Sequence, residues 1–253
     1  MLGPTLASVV RCLGKLFPPA MTAPQPTSPA PTPATQTQTY QNLARAEMRA
    51  FIPPHATRLL DVGCNTGSFG AGLKASRAIE VWGLEPNADA AVLAGQALDR
   101  VLHCAFDAQA NLPAQHFDVI SFNDVLEHFA DPWAALHLAK SLLRPGGVVV
   151  VSVPNLLNKQ NLAHMLVERD FRYEADGIRD RTHLRFFTQK SLRRTFEESG
   201  FQVLTLQGIN EDWYSSSIWL RLAYRVFSRQ LDETKYRQLA LVARPDAPAA
   251  QSA

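Results

Sequence analysis

Leu59-Leu60-Asp61-Val62-Gly63-Cys64-Asn65-Thr66-Gly67-Ser68-Phe69-Gly70 runs from an apolar stretch through an acid into a loop punctuated by three glycines. An apolar run without alternation suits a strand buried on both faces of a parallel sheet. The glycines after it let the backbone turn tightly and approach a ligand with no Cβ in the way. Asn65 stands where glycine is more usual, and asparagine is among the few residues that tolerate a left-handed backbone. The stretch therefore reads as strand, ligand loop, helix.

Outward from it the same alternation continues. Strands are expected at 58–62, 79–84, 101–106, 117–122 and 148–153, with two later ones at 201–207 and 238–243. Helical patterns lie between them, as at 87–98 and 131–144. In the second, Asp131 can cap, Pro132 fits the first helical position and Pro145-Gly146-Gly147 is the stop. Strand–helix alternation of this kind defines a doubly wound α/β sheet that binds ligands at the carboxyl ends of its strands. The composition agrees. In 253 residues, 46% hydrophobic and 19% charged, there is material for one domain core without disulfides or a structural metal. Cys12, Cys64 and Cys104 have no finger-like spacing, which fits a reducing compartment and a cytoplasmic location. Formal net charge is +2, and the only charges before Tyr40 are Arg11 and Lys15. The rest of the chain is balanced, so the bulk electrostatics of a nucleic-acid binder are missing. Residues 1–39 hold eight of the seventeen prolines and no acid, and read as a disordered extension. Within it, 1–17 is either a short surface-seeking helix or dispensable, with translation starting at Met21. The domain is expected over 40–243, with insertions at about 155–187 and 212–230 and a disordered tail at 244–253.

Three acids sit at expected strand ends. Asp61 precedes the glycine loop. Glu85 comes 22 residues after Gly63, where a carboxylate can accept hydrogen bonds from ribose hydroxyls. Asp107 follows Ala105-Phe106 and could meet an adenine edge. Each alone could be a surface acid beside a tight turn; together with the loop they describe a nucleoside site. A dinucleotide site wants G-x-G-x-x-G with pyrophosphate on a helix N-terminus. Here the pattern is G-x-N-x-G-x-x-G, and Asp61 lies two residues before the first glycine. A carboxylate there suits a ligand with an ammonium group and no phosphates, S-adenosylmethionine rather than NAD.

The chain resembles the class I S-adenosylmethionine-dependent methyltransferases over roughly residues 40–243. The resemblance is carried by 59–67, by Gly83-Leu84-Glu85-Pro86, by Phe117-Asp118-Val119-Ile120 and by Leu143-Arg144-Pro145-Gly146-Gly147. It implies a seven-stranded sheet whose last strand is antiparallel, a Rossmann-like methyltransferase fold with helical insertions. It also implies that Asp61, Gly63, Cys64, Asn65 and Gly67 hold the methionine part of the cofactor, and that Glu85 holds the ribose. Asp107 and Ala108 would lie by the adenine, and Asn123 beside the sulfonium.

Asn123-Asp124-Val125-Leu126-Glu127-His128 is similar to a segment of ubiquinone-type small-molecule O-methyltransferases. Some of those bind a divalent ion through E-x-x-E-H. Here the first acid is the shorter Asp124, and no metal is assigned. Residues 180–188 and 199–201 resemble bacterial methyltransferases associated with sugar or polysaccharide metabolism, which implies a small-molecule or glycan-type hydroxyl acceptor. The N-P-P-Y-type motif of base and amide methylation is absent after the fourth strand. A hydroxyl acceptor gains from a base near neutral pH, and His183 and His128 are the histidines expected to face the cofactor. His183 is the expected base, its ring fixed by Asp180 and Arg181. Asp124, Glu127 and His128 would shape the acceptor pocket. Basic residues outnumber acids eight to four over 169–194, as a solvated surface or as the mouth for an anionic acceptor. The aromatic stretch 212–230 reads as core packing, a lid or a membrane contact. Two other readings stand: a binding protein that lost turnover, and a nicotinamide-dependent oxidoreductase.

Overall fold

Four of the five residues of Arg58–Val62 are buried, and burial on both faces leaves such a strand nowhere but the middle of a sheet. In the computed structural model, which describes residues 44–211 and 231–246, this segment is β1. It pairs in parallel with β2 (Glu80–Leu84) on one side and β4 (Phe117–Asn123) on the other. β3 (Arg100–Leu102), β5 (Leu143–Pro154), β6 (Phe201–Glu211) and β7 (Tyr236–Pro245) complete a seven-stranded sheet of order β3-β2-β1-β4-β5-β7-β6. β7 runs antiparallel to both β5 and β6, as the family resemblance implies. The helices are α1 (Ser68–Lys74), α2 (Ala88–Ala94), α3 (Pro132–Leu142), α4 (Lys159–Ala163) and α5 (Gln189–Glu198). The expected doubly wound α/β architecture is present.

Each face of the sheet has its own core. On one, Leu60, Val62, Ile120, Phe122, Val149 and Val151 pack against Leu136 and Ala139 of α3 and Leu192 and Phe196 of α5. On the other, Leu59, Val119, Val148 and Val150 meet Met48, Phe69 and Leu73. This second face changes character toward the carboxyl ends of the strands. With a side-chain period of two, Leu59 is followed by Asp61, Val119 by Ser121 and Asn123, and Val150 by Ser152. In the register Asp61 lies beside Ser121 and Asn123 beside Ser152. The sheet thus carries a polar floor where the strand order reverses between β1 and β4, the crevice in which doubly wound folds bind ligands.

Three expected boundaries are corrected. β3 ends at Leu102, so Phe106 and Asp107 belong to the following loop. Phe106 is buried because it packs edge-on against Phe122, not because it pairs in the ladder. α3 begins as expected, with Asp131 Oδ1 accepting from Ala134 N at 3.0 Å, but ends at Leu142. Leu143 has already paired with Phe117, and 143–147 open β5. β7 continues through Pro245, so Arg244 and Pro245 are sheet residues rather than tail. The extension 1–39, the segment 212–230 and residues 247–253 lie outside the described residues.

One acid ties the bottom of the sheet together. Asp118 Oδ2 accepts from Thr57 N (2.8 Å), Thr57 Oγ1 (2.8 Å) and Arg58 N (2.9 Å), while Oδ1 accepts from Arg144 (3.1 Å). Partial burial works to raise its pKa; the bonds from Thr57, Arg144 and Arg58 prevail and hold it at about 2. Asp118→Ala is expected to lower stability by about 2 kcal/mol at neutral pH, since hydrogen bonds to charged groups contribute about 1.5–3 kcal/mol. A folded-state pKa depressed below the unfolded value stabilises above the unfolded value and loses that contribution as pH falls through the folded one. Urea melts should therefore show the wild-type advantage shrinking between about pH 4 and pH 2.

Candidate active site

A cavity of about 950 Å³ opens over the polar floor. Its walls come from the glycine loop, the β4 exit, the segment preceding β1, the insertion after β5 and the start of β7. That is near the upper end of ligand-pocket sizes (about 300–1,000 Å³) and leaves room for two small molecules side by side.

The loop is built by its glycines. Gly63 N and Cys64 N both donate to Leu84 O (2.8 and 3.0 Å), and Gly67 N donates to Cys64 O at 2.9 Å. Gly63 has φ 67°, and a Cβ there would lie 2.6 Å from Val125 Cγ2. Asn65 is left-handed at φ 48°, as its residue type allows. Asp61 is 2% exposed and accepts from Ser121 Oγ at 2.8 Å and, more weakly, from Asn123 Nδ2 at 3.4 Å. Desolvation dominates and pushes its pKa up to about 7; the Ser121 and Asn123 bonds work against it and Glu85 adds to it. The Oδ1 atoms of Asn65 and Asn123 are buried with no hydrogen-bond partner. A carboxylate in need of a cation, two orphaned acceptors and a glycine cradle fit a ligand bearing an ammonium group and further donors.

The other expected cofactor residues are placed differently. Cys64 lies in the cavity wall, with its side chain packed toward Gly83, where a Cβ would stand 2.5 Å from its Sγ, and burial raises its thiol pKa. Glu85 is 8% exposed and sits behind the loop, its carboxylate accepting from Asn65 N (2.8 Å) and Asn87 N (2.9 Å). Gly67, Glu85, Asp107 and Ala108 are not in the cavity wall. Asp107 is exposed and accepts from Gln109 N at 2.8 Å, because the chain has left the sheet at Leu102.

The insertion after β5 starts and ends at one point, where Asn155 bridges Phe187. Between these ends Leu184 N and Arg185 N both donate to Glu127 O, at 2.9 and 3.0 Å. This docking brings His183 onto the β4 exit, with its ring centroid 4.8 Å from that of His128. A carbonyl oxygen can only accept, so Nδ1 of each ring carries the proton: His183 donates to Ile178 O (3.0 Å) and His128 to Thr182 O (3.2 Å). In the neutral rings both Nε2 atoms keep a lone pair. The His183 ring is thus held by Ile178 O, while Asp180 holds only the backbone of His183, its O accepting from His183 N at 3.0 Å. The Asp180 carboxylate instead accepts from Thr182 N and Oγ1, at 2.8 and 2.7 Å. Glu127 lies 3.9 Å from His183 Nε2, is 1% exposed, and has a partner for neither oxygen. Desolvation pushes its pKa up to about 8, over the opposing effects of its own backbone and Arg45. Desolvation, then His183, lowers the pKa of His128.

Asp124 does not join this cluster. It is left-handed at φ 55°, and its carboxylate accepts from Arg45, from Gln238 Nε2 (2.7 Å) and from Ser152 Oγ (3.2 Å). The E-x-x-E-H set implied by resemblance is therefore not assembled. Arg45, itself left-handed at φ 41°, and Gln238 are site residues that the sequence reading missed; no local motif marks either one.

Fold and floor define a class of protein, a doubly wound α/β domain with a cavity over a buried acid at the point where the strand order reverses. Comparison with known proteins narrows this. A family model described as a methyltransferase domain matches residues 34–206, more than half of the chain. The chain belongs to that family, the class I S-adenosylmethionine-dependent methyltransferases. It is 29% identical over 161 residues to a ubiquinone biosynthesis O-methyltransferase of Azoarcus sp. (strain BH72), covering 60% of this chain and 67% of that one. It is 30% identical over 172 residues to the protein of the same name from Psychrobacter arcticus, covering 64% and 66%. The chain thus spans about two thirds of the length of these relatives. Among solved structures, an S-adenosylmethionine-dependent methyltransferase of Archaeoglobus fulgidus aligns with TM-score 0.63 and 20% identity over 83% of this chain and 98% of that one. One from Mesorhizobium loti aligns with TM-score 0.56 and 19% identity, over 81% and 99%. At these identities the structures show the fold. Among the described residues no helix is long and apolar enough to cross a membrane.

Proposed function

We propose that the protein methylates a hydroxyl oxygen of a small molecule, and that the proton leaves that hydroxyl at the His183–His128–Glu127 cluster. One observation carries this reading: the buried Asp61 floor and two imidazoles with free Nε2 lone pairs face one cavity. The cofactor supplies a methyl group already activated by a sulfonium. Asp61 would take its ammonium group, Gly63 and Asn65 would enclose its methionine part, and Asn123 would offer Oδ1 beside them. Glu85 has lone pairs left for a ribose beyond the two backbone bonds it accepts. Asp107 and Ala108 are retained for the adenine on the resemblance alone.

Much of the catalysis in such a displacement is positioning. The fixed Nδ1–H of His183 leaves Nε2 to accept the acceptor's proton, and Ile178 O holds the ring while it is charged. The relatives' name supports a small-molecule hydroxyl, and the resemblance of 180–188 extends this to glycan hydroxyls. Free Cys64 and Cys104 accord with the cytoplasmic location in this reading. In a screen of hydroxyl acceptors that follows release of S-adenosylhomocysteine, His183→Ala should cut turnover by about 10²–10⁴-fold, the usual contribution of a general base. Its cofactor affinity should be unchanged. Near-normal turnover would remove the catalytic role. Cofactor binding with no acceptor turned over by the wild type would favour the binding-protein reading.

A further inference from the structure

A third imidazole stands on the cavity wall, and the sequence reading passes over it. The insertion after β5 opens with α4 and runs directly into a single π-helical turn, His164–Glu168. Such turns are rare and concentrate at functional sites. His164 lines the cavity, and its Nδ1 lies 2.8 Å from Glu168 Oε2. An ionised carboxylate can only accept, so Nδ1 carries the proton and, in the neutral ring, Nε2 keeps its lone pair. No bond from the described residues reaches that Nε2. His164 and His183 thus wall one cavity from the two arms of the same insertion, each with its Nδ1 held. The wall around them is polar. Of the insertion residues that line the cavity, Ile178 alone has a hydrocarbon side chain. Phe69, at the start of α1, is the one phenyl ring on the wall among the described residues. Of the basic residues over 169–194 only Arg179 lines the cavity, and Glu174 Oε1 and Arg172 O already accept from its guanidinium, at 2.5 and 3.0 Å. The wall acids Glu174, Asp176 and Asp180 outnumber it, so that run of cations does not form a mouth for an anion.

We propose that His164, held by Glu168, is an acceptor-positioning residue that binds a second hydroxyl of the molecule whose first hydroxyl meets His183. The acceptor it selects is an uncharged polyol of the carbohydrate type rather than a largely apolar ring. The unpartnered Nε2 accepts a hydrogen bond from the second hydroxyl. A polyol also supplies partners to a polar wall that an apolar molecule would desolvate without compensation. A site that hydrogen-bonds a hydroxyl rejects the analogue lacking it, because the group in the wall is then left unpaired. The two-point grip sets which hydroxyl is methylated: the one at His183, while His164 holds the other. This inference rests on the proposed function in placing the acceptor in the cavity, and His183 keeps its role as base.

The test is saturation-transfer difference NMR on the full-length protein loaded with S-adenosylhomocysteine. The polyol probes are the methyl α-glycosides of glucose, mannose and galactose, and the monohydroxy probes are phenol and cyclohexanol. Wild type should bind at least one glycoside, and bind it better than phenol or cyclohexanol. His164→Ala should weaken glycoside binding about fivefold or more, the reach of one hydrogen bond, and Glu168→Ala by a smaller factor in the same direction. His164→Gln, which returns an acceptor atom to that position, should recover binding to within about twofold. S-adenosylmethionine titrations on the same samples show that each variant is folded. Failure of every glycoside to bind, equal binding of phenol or cyclohexanol, or undiminished glycoside binding in His164→Ala overturns the proposal. The two readings fail separately. Glycoside binding that depends on His164, with methyl transferred to no acceptor, removes the proposed function and leaves the binding role. Methyl transfer to phenolic acceptors that His183→Ala abolishes and His164→Ala leaves unchanged removes this inference alone.

Discussion

Asp61→Asn should lose about 30- to 150-fold in affinity for S-adenosylmethionine while leaving the unliganded protein at least as stable as wild type. The first half follows from replacing a buried carboxylate that would face an ammonium group; such a charged hydrogen bond contributes about 2–3 kcal/mol. The second half follows from the state of the carboxylate without its ligand. It is 2% exposed, has one good hydrogen bond, from Ser121, and has a pKa raised to about 7. A folded-state pKa above the unfolded value means the native protein binds the proton more tightly. This residue therefore costs stability progressively as pH rises from about 4 through about 7. Asparagine removes that cost at near-constant shape. The same titration sets a pH dependence for the wild type. Cofactor binding needs the ionised form and the ligand's protonated α-amino group, so affinity should rise about fivefold from pH 6 to a maximum near pH 7.5 and fall again above about pH 8. Calorimetry in buffers of different ionisation heat should record proton release below pH 7. A pH-independent affinity, or a strongly destabilised Asp61→Asn, would contradict this account of the floor.

Gly63→Val is the second large effect. A left-handed backbone costs a residue with a Cβ about 1–2 kcal/mol, and the new Cβ would meet Val125 Cγ2 at 2.6 Å and Cγ1 at 3.2 Å. Overpacking of that kind adds about 1–3 kcal/mol. For a domain of this size the sum lowers the melting temperature by about 5–15 °C. The clash falls between the glycine loop and the β4 exit, so cofactor binding should be lost even at temperatures where the variant is folded. Gly146→Ala is the control. Its φ is 83°, but a Cβ there has nothing within 4 Å, so only the conformational cost applies and binding should be kept.

The inner strand positions could be read from apolar runs because β1, β4, β5 and β7 are buried on both sides over most of their length, and β1 has the expected limits. Where the reading slipped, burial and pairing had parted. Phe106 is core without being strand, and Leu143 continues the apolar face of α3 while already pairing with Phe117. The antiparallel direction of β7 leaves no mark in periodicity and came from resemblance. At the site, Asp61, Gly63, Asn65 and Asn123 were legible because one short loop and one strand end carry them. Cys64 was legible as a position but not as a side chain that turns toward Gly83. The meeting of Glu127 with His183 depends on the backbone of 184–185 docking on Glu127, a contact across more than fifty residues that no local pattern encodes. Asp124 lines the cavity as expected, but Arg45 and Gln238 occupy its carboxylate, which no local pattern shows.

Titration of the intact protein with S-adenosylmethionine, S-adenosylhomocysteine and, as a control, NADH tests the central claim most directly. Saturable one-to-one binding of the first two in the micromolar range, with none of the third, is the predicted result; Glu85→Ala should weaken it at least tenfold, about 1.4 kcal/mol. Absence of binding by either sulfur ligand, or a saturable response to NADH alone, would contradict the assignment of the Asp61 floor and leave the fold without the chemistry argued for it.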